Sequence, residues 1–129
     1  MMADKQQVTN LVESARKHLK EGDFERALSL GKEALSIDPN HVTALFVLGA
    51  TQRRAGQSRD AEETMLRVVK AVPQLAAAHQ ELGLNYLRRG QLKDAKKALR
   101  RSLHQDASLS ASWRFLGHVL SSEGDEEGA

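Results

Sequence analysis

A 34-residue period organises this chain and limits what it can fold into. Gly22, Gly56, Gly90 and Gly124 stand 34 residues apart, and Ala27, Ala61, Ala95 and Ala129 keep the same step. A third column holds Ala15, Gly49, Gly83 and Gly117; a fourth holds Leu48, Leu82 and Leu116, with Ser14 in its first place. Pro39 and Pro73 begin a fifth, which Ala107 continues. Self-similarity at such a period belongs to arrays of supersecondary units, each covering the apolar face its neighbour cannot bury alone.

The columns have physical reasons. Glycine enters the left-handed conformation of a helix C-terminus without steric cost, so the first column predicts four helix stops. Small residues in the other columns allow two antiparallel helices to approach closely. A proline just past the second helix cannot continue it, and the link to the next unit begins there. Apolar residues at three- and four-residue intervals then predict seven helices, at about 8–21, 24–37, 42–55, 58–71, 76–89, 92–105 and 110–123, and no strand. In the sixth, Leu92, Ala95, Ala98, Leu99 and Leu103 form the inward stripe, which leaves Lys93, Lys96, Lys97, Arg100 and Arg101 toward water. Aromatics at 4% and only two prolines fit the same picture.

Trp113, Leu116, Gly117 and Gly124 in the last unit, and Leu82, Gly83, Tyr86, Gly90, Ala95 and Leu99 in the third, resemble the tetratricopeptide signature. The resemblance runs from Val8 to Ala129. His79 and Leu45 stand where the last unit has Trp113, Gly31 replaces a large residue, and Ala107 replaces a proline. An all-α, right-handed superhelical solenoid of about three and a half helix-turn-helix repeats is implied. The expected organisation is one domain over 1–129, with repeats at about 8–41, 42–75 and 76–109 and a partial unit at 110–129. A terminal helix carrying Trp113, Phe115, Leu116, Val119 and Leu120 is a poor polar cap, which predicts a longer natural protein or a homo-oligomer through helix 110–123.

The resemblance also implies a function: a protein–protein interaction scaffold that holds a peptide or partner helix in a concave groove lined by the first helix of each unit. By the family's pattern, the inward positions are Thr9, Val12, Arg16, Leu19 and Lys20, then Thr43, Phe46, Ala50, Arg53 and Arg54. The third unit gives Ala77, Gln80, Leu84, Leu87 and Arg88, and the fourth Ala111, Arg114 and His118. Apolar ground at Val12, Phe46, Leu84 and Leu87 lies among the cations Arg16, Lys20, Arg53, Arg88 and Arg114, with almost no carboxylates. Arginine can grip a carboxylate through two parallel hydrogen bonds, so the expected partner is a protein or peptide with acidic and apolar residues. Some members of the family clamp the acidic tails of heat-shock chaperones with lysine, arginine and asparagine. The matching places here hold Val12, Arg16, Val47, Ala77 and Glu81, so that activity is not expected.

Other classes find little support. The net charge is +2, too small for a general nucleic-acid surface. There is no cysteine, which removes disulfides and thiolate chemistry. No apolar run has the length of a signal sequence or a membrane span, so a cytoplasmic location without membrane contact is expected. None of the five histidines has a helix-borne metal partner, and His18 and His79 occupy interior columns. The glycines are isolated, without a phosphate loop, and the neighbours Glu62 and Glu63 diverge on a helix. No catalytic residue, cofactor or metal is expected, and the chain is not read as an enzyme.

Two alternatives rest on particular residues. Lys93, Lys96, Lys97, Arg100, Arg101 and His104 give one helix a basic face for RNA or another nucleic acid, though without stacking aromatics. Ser112-Trp113-Arg114 with Leu116-Gly117 and Gly124-Asp125 is similar to repeat regions that precede the catalytic domain of some larger bacterial enzymes, sulfotransferases among them. The acidic tail from Glu123 to Gly128 is read as a solvated, frayed end.

Overall fold

The computed structural model describes residues 2–128, and the side chains of residues 4–124. Within them are seven helices and no strand: α1 (Met2–Lys20), α2 (Phe24–Ile37), α3 (Val42–Arg54), α4 (Ser58–Ala71), α5 (Ala76–Arg88), α6 (Leu92–Gln105) and α7 (Ser110–Gly128). They form two compact units, Met1–Val72 with α1 to α4 and Pro73–Ala129 with α5 to α7. Three helix–turn–helix hairpins are complete, α1–α2, α3–α4 and α5–α6, and α7 follows as the first helix of a fourth.

Three turns close alike. Gly22, Gly56 and Gly90 have φ of 82°, 86° and 75°. After each, the next residue donates its backbone N–H to a carbonyl in the last turn of the preceding helix: Asp23 to His18 at 2.8 Å, Gln57 to Gln52 at 2.8 Å and Gln91 to Tyr86 at 2.9 Å. This closure satisfies carbonyls that the ending helix would leave orphaned. The fourth stop predicted from the period does not form, since α7 runs through Gly124 to Gly128. A lone glycine weakens a helix by only about 1 kcal/mol relative to alanine. At the other three, a second helix packs back on the first; none does so on α7 within residues 2–128. Ala129, the last of its column, lies outside the described residues, as do the side chains of Asp125, Glu126 and Glu127.

In the first unit, Val8, Val12, Ala15, Ala34, Ala44 and Val47 are buried together, with Leu11, Leu19, Leu30, Leu35 and Ile37 packed around them. Removing a valine or leucine side chain from water is worth roughly 1.5–3 kcal/mol. The small column of the first helices acts as its spacing predicts at Gly49 and Gly83 but not at Gly117, where a Cβ would meet nothing within 4 Å because no second helix packs on α7 among the described residues. A Cβ on Gly49 would lie 2.9 Å from Met65 Cε, and at Gly31 the Leu48 side chain occupies the space a larger residue would fill, 3.5 Å from the position of a Cβ. In the second unit Leu99, Leu103 and Leu116 are buried against Leu87, Leu109 and Phe115. A Cβ on Gly83 would meet Leu99 Cδ2 at 2.6 Å, so α5 and α6 touch there without room for a methyl group.

Several polar groups in these interiors are paired. Thr64 Oγ1 donates to Gln52 Oε1 at 2.7 Å. Gln80 Nε2 donates to Ser112 Oγ at 2.9 Å, the Ser112 and Ser102 hydroxyls bond at 2.8 Å, and Ser102 donates to the Leu99 carbonyl at 2.7 Å. Two of the three residues at the Trp113 column do a common job. Trp113 Nε1 donates to the Ala107 carbonyl at 2.7 Å, and His79 Nε2 bonds the Pro73 carbonyl at 2.8 Å. A carbonyl only accepts, so Nε2 carries the proton. Leu45 has no such group, and Arg67 Nη2 reaches the Pro39 carbonyl instead, at 2.9 Å.

One surface assignment changes. Lys96 does not extend into water: its Nζ lies 2.9 Å from both carboxylate oxygens of Glu123 on α7, and both side chains are largely shielded. The partner sits 27 residues away, beyond the reach of any local pattern.

Candidate peptide-binding surfaces

In the first unit, α1 and α3 border a depression of about 280 Å³ lined by Thr9, Val12, Glu13, Arg16, His41 and Thr43. Residues three, four and seven apart on a helix share a face, which brings Thr9, Val12, Glu13 and Arg16 to the α1 side. Val12 is 4% exposed and forms the floor. Thr9, Glu13, Arg16 and Thr43 are exposed around it. His41 caps α3, its Nδ1 accepting the Ala44 N–H at 3.1 Å, which leaves Nε2 as the ring's N–H donor. The depression therefore offers an apolar floor, a guanidinium, hydroxyls and a ring N–H.

Two of its residues escaped the sequence pattern. Glu13 puts a carboxylate beside Arg16, so the wall is not as free of acids as the inward positions suggest. Its spacing from Thr9 and Arg16 was the available signal. His41 belongs to the link before α3, where helix periodicity says nothing.

The other inward positions of this unit fall differently. Lys20 is exposed, Phe46 and Arg53 are partly buried, and Leu19 packs on the core. Ala50 is buried, 5% exposed, and does not line the depression. The Arg54 guanidinium lies over the Phe24 ring, 5.4 Å from its centre. Val12 and Val47, at two of the chaperone-clamp positions, both belong to the buried cluster.

In the second unit Gln80 is held by Ser112, which makes it a packing group as much as a contact. Leu84 is partly buried, Leu87 packs on the core, and Ala77 and Ala111 are partly buried. Arg88 and His118 are exposed, while the Arg114 guanidinium sits 5.0 Å from the centre of the Phe115 ring. Among the described residues no group of three or more His, Cys, Asp or Glu side chains is placed to hold a metal ion. None of the described helices is long and apolar enough to cross a membrane.

Repeated hairpins closed by left-handed glycines and packed through small residues define a tetratricopeptide-type helical repeat. Over residues 1–129 the chain matches the cilia and flagella-associated protein 70 middle TPR-like domain, and it belongs to that family. No curated protein matches it in sequence. Solved structures share its fold. The first TPR of Spaghetti (RPAP3) bound to the HSP90 peptide SRMEEVD is 18% identical, with TM-score 0.86 over 92% of this chain and 94% of that one. The Sgt2 TPR domain from Aspergillus fumigatus is 21% identical, with TM-score 0.87 over 95% of this chain and 82% of that one. A Thermobaculum terrenum O-GlcNAc transferase mutant is 23% identical, with TM-score 0.86 over 91% of this chain but 22% of that one.

Proposed function

We propose that the chain is a protein-interaction scaffold that holds an acidic and apolar peptide, or one face of a partner helix, on the α1–α3 surface. The observation that carries this reading is the depression that Arg16, His41 and Thr43 border over the Val12 floor. Arg16 pairs with a carboxylate of the ligand, and the floor receives an apolar side chain. Glu13 disfavours a second carboxylate directly beside the first, so the ligand's acids are spaced. The RPAP3 domain of the same fold was solved with an acidic peptide, SRMEEVD, which supports a peptide of related chemistry here. Buried valines at two clamp positions argue for a different sequence.

Cytoplasmic residence is part of the proposal, and the family's description directs the search for the partner toward proteins of cilia and flagella. A homo-oligomer through α7 belongs to it as well: Trp113 is 55% and Leu120 40% exposed, and a Cβ on Gly117 would meet nothing within 4 Å. The second reading, an accessory region of a larger enzyme, draws on the O-GlcNAc transferase match, in which a structure of this kind makes up 22% of a longer chain.

Selection from a displayed random-peptide library tests the first reading. Enriched sequences should combine spaced acids with an apolar residue, and Arg16→Glu should weaken them by about tenfold or more. Enrichment of basic or purely apolar sequences, or indifference to Arg16→Glu, contradicts it.

A further inference from the structure

The second helices of the three complete hairpins occupy the same place in the repeat, yet they do not carry the same charge. Helix α2 has two acids and two bases, and α4 has three of each. Helix α6 has Lys93, Lys96, Lys97, Arg100 and Arg101 against Asp94 alone. The whole chain carries only +2, so its basic surplus is concentrated on this helix and the remainder is net acidic.

Helical spacing turns composition into a stripe. Lys93, Lys97, Arg100 and His104 stand at successive steps of four, three and four residues, all exposed, with Arg101 exposed at the flank. At 1.5 Å per residue the stripe is about 16 Å long, and its charged members Lys93, Lys97 and Arg100 stand about 4.5–6 Å apart along the axis. Lys96 is the one base spent internally, on Glu123. The opposite face of α6 is buried through Ala95, Ala98, Leu99, Ser102 and Leu103.

We infer that the exposed face of α6 is a second docking surface, distinct from the α1–α3 depression, whose partner is an acidic segment of another protein. Carboxylates on alternate residues of an extended segment recur about every 6.6 Å, close to the step between the cations. An acidic helix lying along α6 would match the same three- and four-residue rhythm. Single-stranded nucleic acid would need stacking platforms, and α6 exposes no phenylalanine, tyrosine or tryptophan. A duplex would extend well beyond the stripe, and the rest of the chain, net acidic as a whole, offers its charge density no comparable surplus. A membrane-surface helix presents an apolar face to lipid, and the apolar face of α6 is already covered.

The test uses the intact chain and a labelled peptide of alternating Glu and Ser at low salt, with poly-U and anionic vesicles in parallel. Lys97→Glu/Arg100→Glu is compared with Arg59→Glu/Lys70→Glu, an equal charge change on exposed positions of α4. The first should weaken peptide binding by about tenfold or more and the second by less than about threefold. Lys97→Gln/Arg100→Gln, which adds no repulsion, should give an intermediate loss with unchanged helicity. The inference is overturned if the wild type does not bind the peptide, if the α4 and α6 reversals act equally, or if neither acts. Tighter binding of poly-U or vesicles than of peptide, lost in the α6 variant, overturns it too. Self-association abolished by the α6 reversal would make the occupant a second copy, which also contradicts it.

Discussion

Repeat two, built from α3 and α4, and repeat three, built from α5 and α6, share a frame and differ in what fills it. In both, a glycine on the first helix lies against a large side chain on the second: Gly49 on Met65, Gly83 on Leu99. In both, a carbonyl at the link entering the repeat is satisfied, by Arg67 from α4 in one and by His79 from the first helix in the other. Outside, the two diverge, with balanced charge on α4 and a cationic stripe on α6. Close packing restricts the interior to a few solutions, whereas exposed positions are free to take the chemistry a partner requires.

Substitutions inside the frame should be costly in both repeats, but unequally. Leu99→Ala removes a fully buried side chain and should cost about 3 kcal/mol in urea unfolding. Met65→Ala should cost somewhat less, because the space left by a flexible thioether is more easily refilled. Equal losses, or a negligible loss at Leu99, would break the comparison. The glycines sharpen it. Gly83→Ala drives a methyl group into Leu99 at 2.6 Å and should cost about 2 kcal/mol. Gly49→Ala meets Met65 Cε at 2.9 Å, Met65 Cγ at 3.1 Å and the Thr64 methyl at 3.3 Å, but the thioether can shift and helix propensity is gained, so a loss of about 1 kcal/mol, smaller than at Gly83, is expected.

The link carbonyls give a smaller effect. His79→Leu/Arg101→Met removes the histidine together with the residue 34 places after Arg67, leaves the Pro73 carbonyl without either partner, and should cost about 1–2 kcal/mol. Arg67→Met at the exposed counterpart should cost about 0.5 kcal/mol, and the ratio between the two can be read from unfolding midpoints. The least effect is expected at the turn after α6. The Ser108 hydroxyl and backbone N–H both donate to Asp106, at 2.6 and 3.0 Å, and hold its carboxyl below the ordinary 3.8. A depressed carboxylate contributes stability above its unfolded value, and that contribution is lost as the pH falls through the lower folded value. Ser108→Ala should move the carboxyl resonance of Asp106 upward toward 3.8 in an NMR titration. No movement would show that the turn, rather than the hydroxyl, sets it.

Most of the frame was legible because each hairpin repeats the same solution: the glycine and alanine columns mark the close contacts, and six helix starts agree with the periodic reading. What escaped it depends on tertiary partners. Gly124 gave the same local signal as Gly90, but no second helix packs back to make the turn worthwhile within the described chain. Lys96 belongs to a stripe of exposed bases by spacing, and only the approach of α7 brings Glu123 to it. At the candidate site, Arg16 and Thr43 were visible on their faces, whereas the cap role of His41 depends on the angle at which the link enters α3.

The most direct test is chemical-shift mapping of the intact chain with a library-selected acidic and apolar peptide. The account predicts that the largest changes fall on Thr9, Glu13, Arg16, His41 and Thr43, with α2 and α4 unmoved. Changes centred on α2 or α4, or spread evenly over all seven helices, would contradict it.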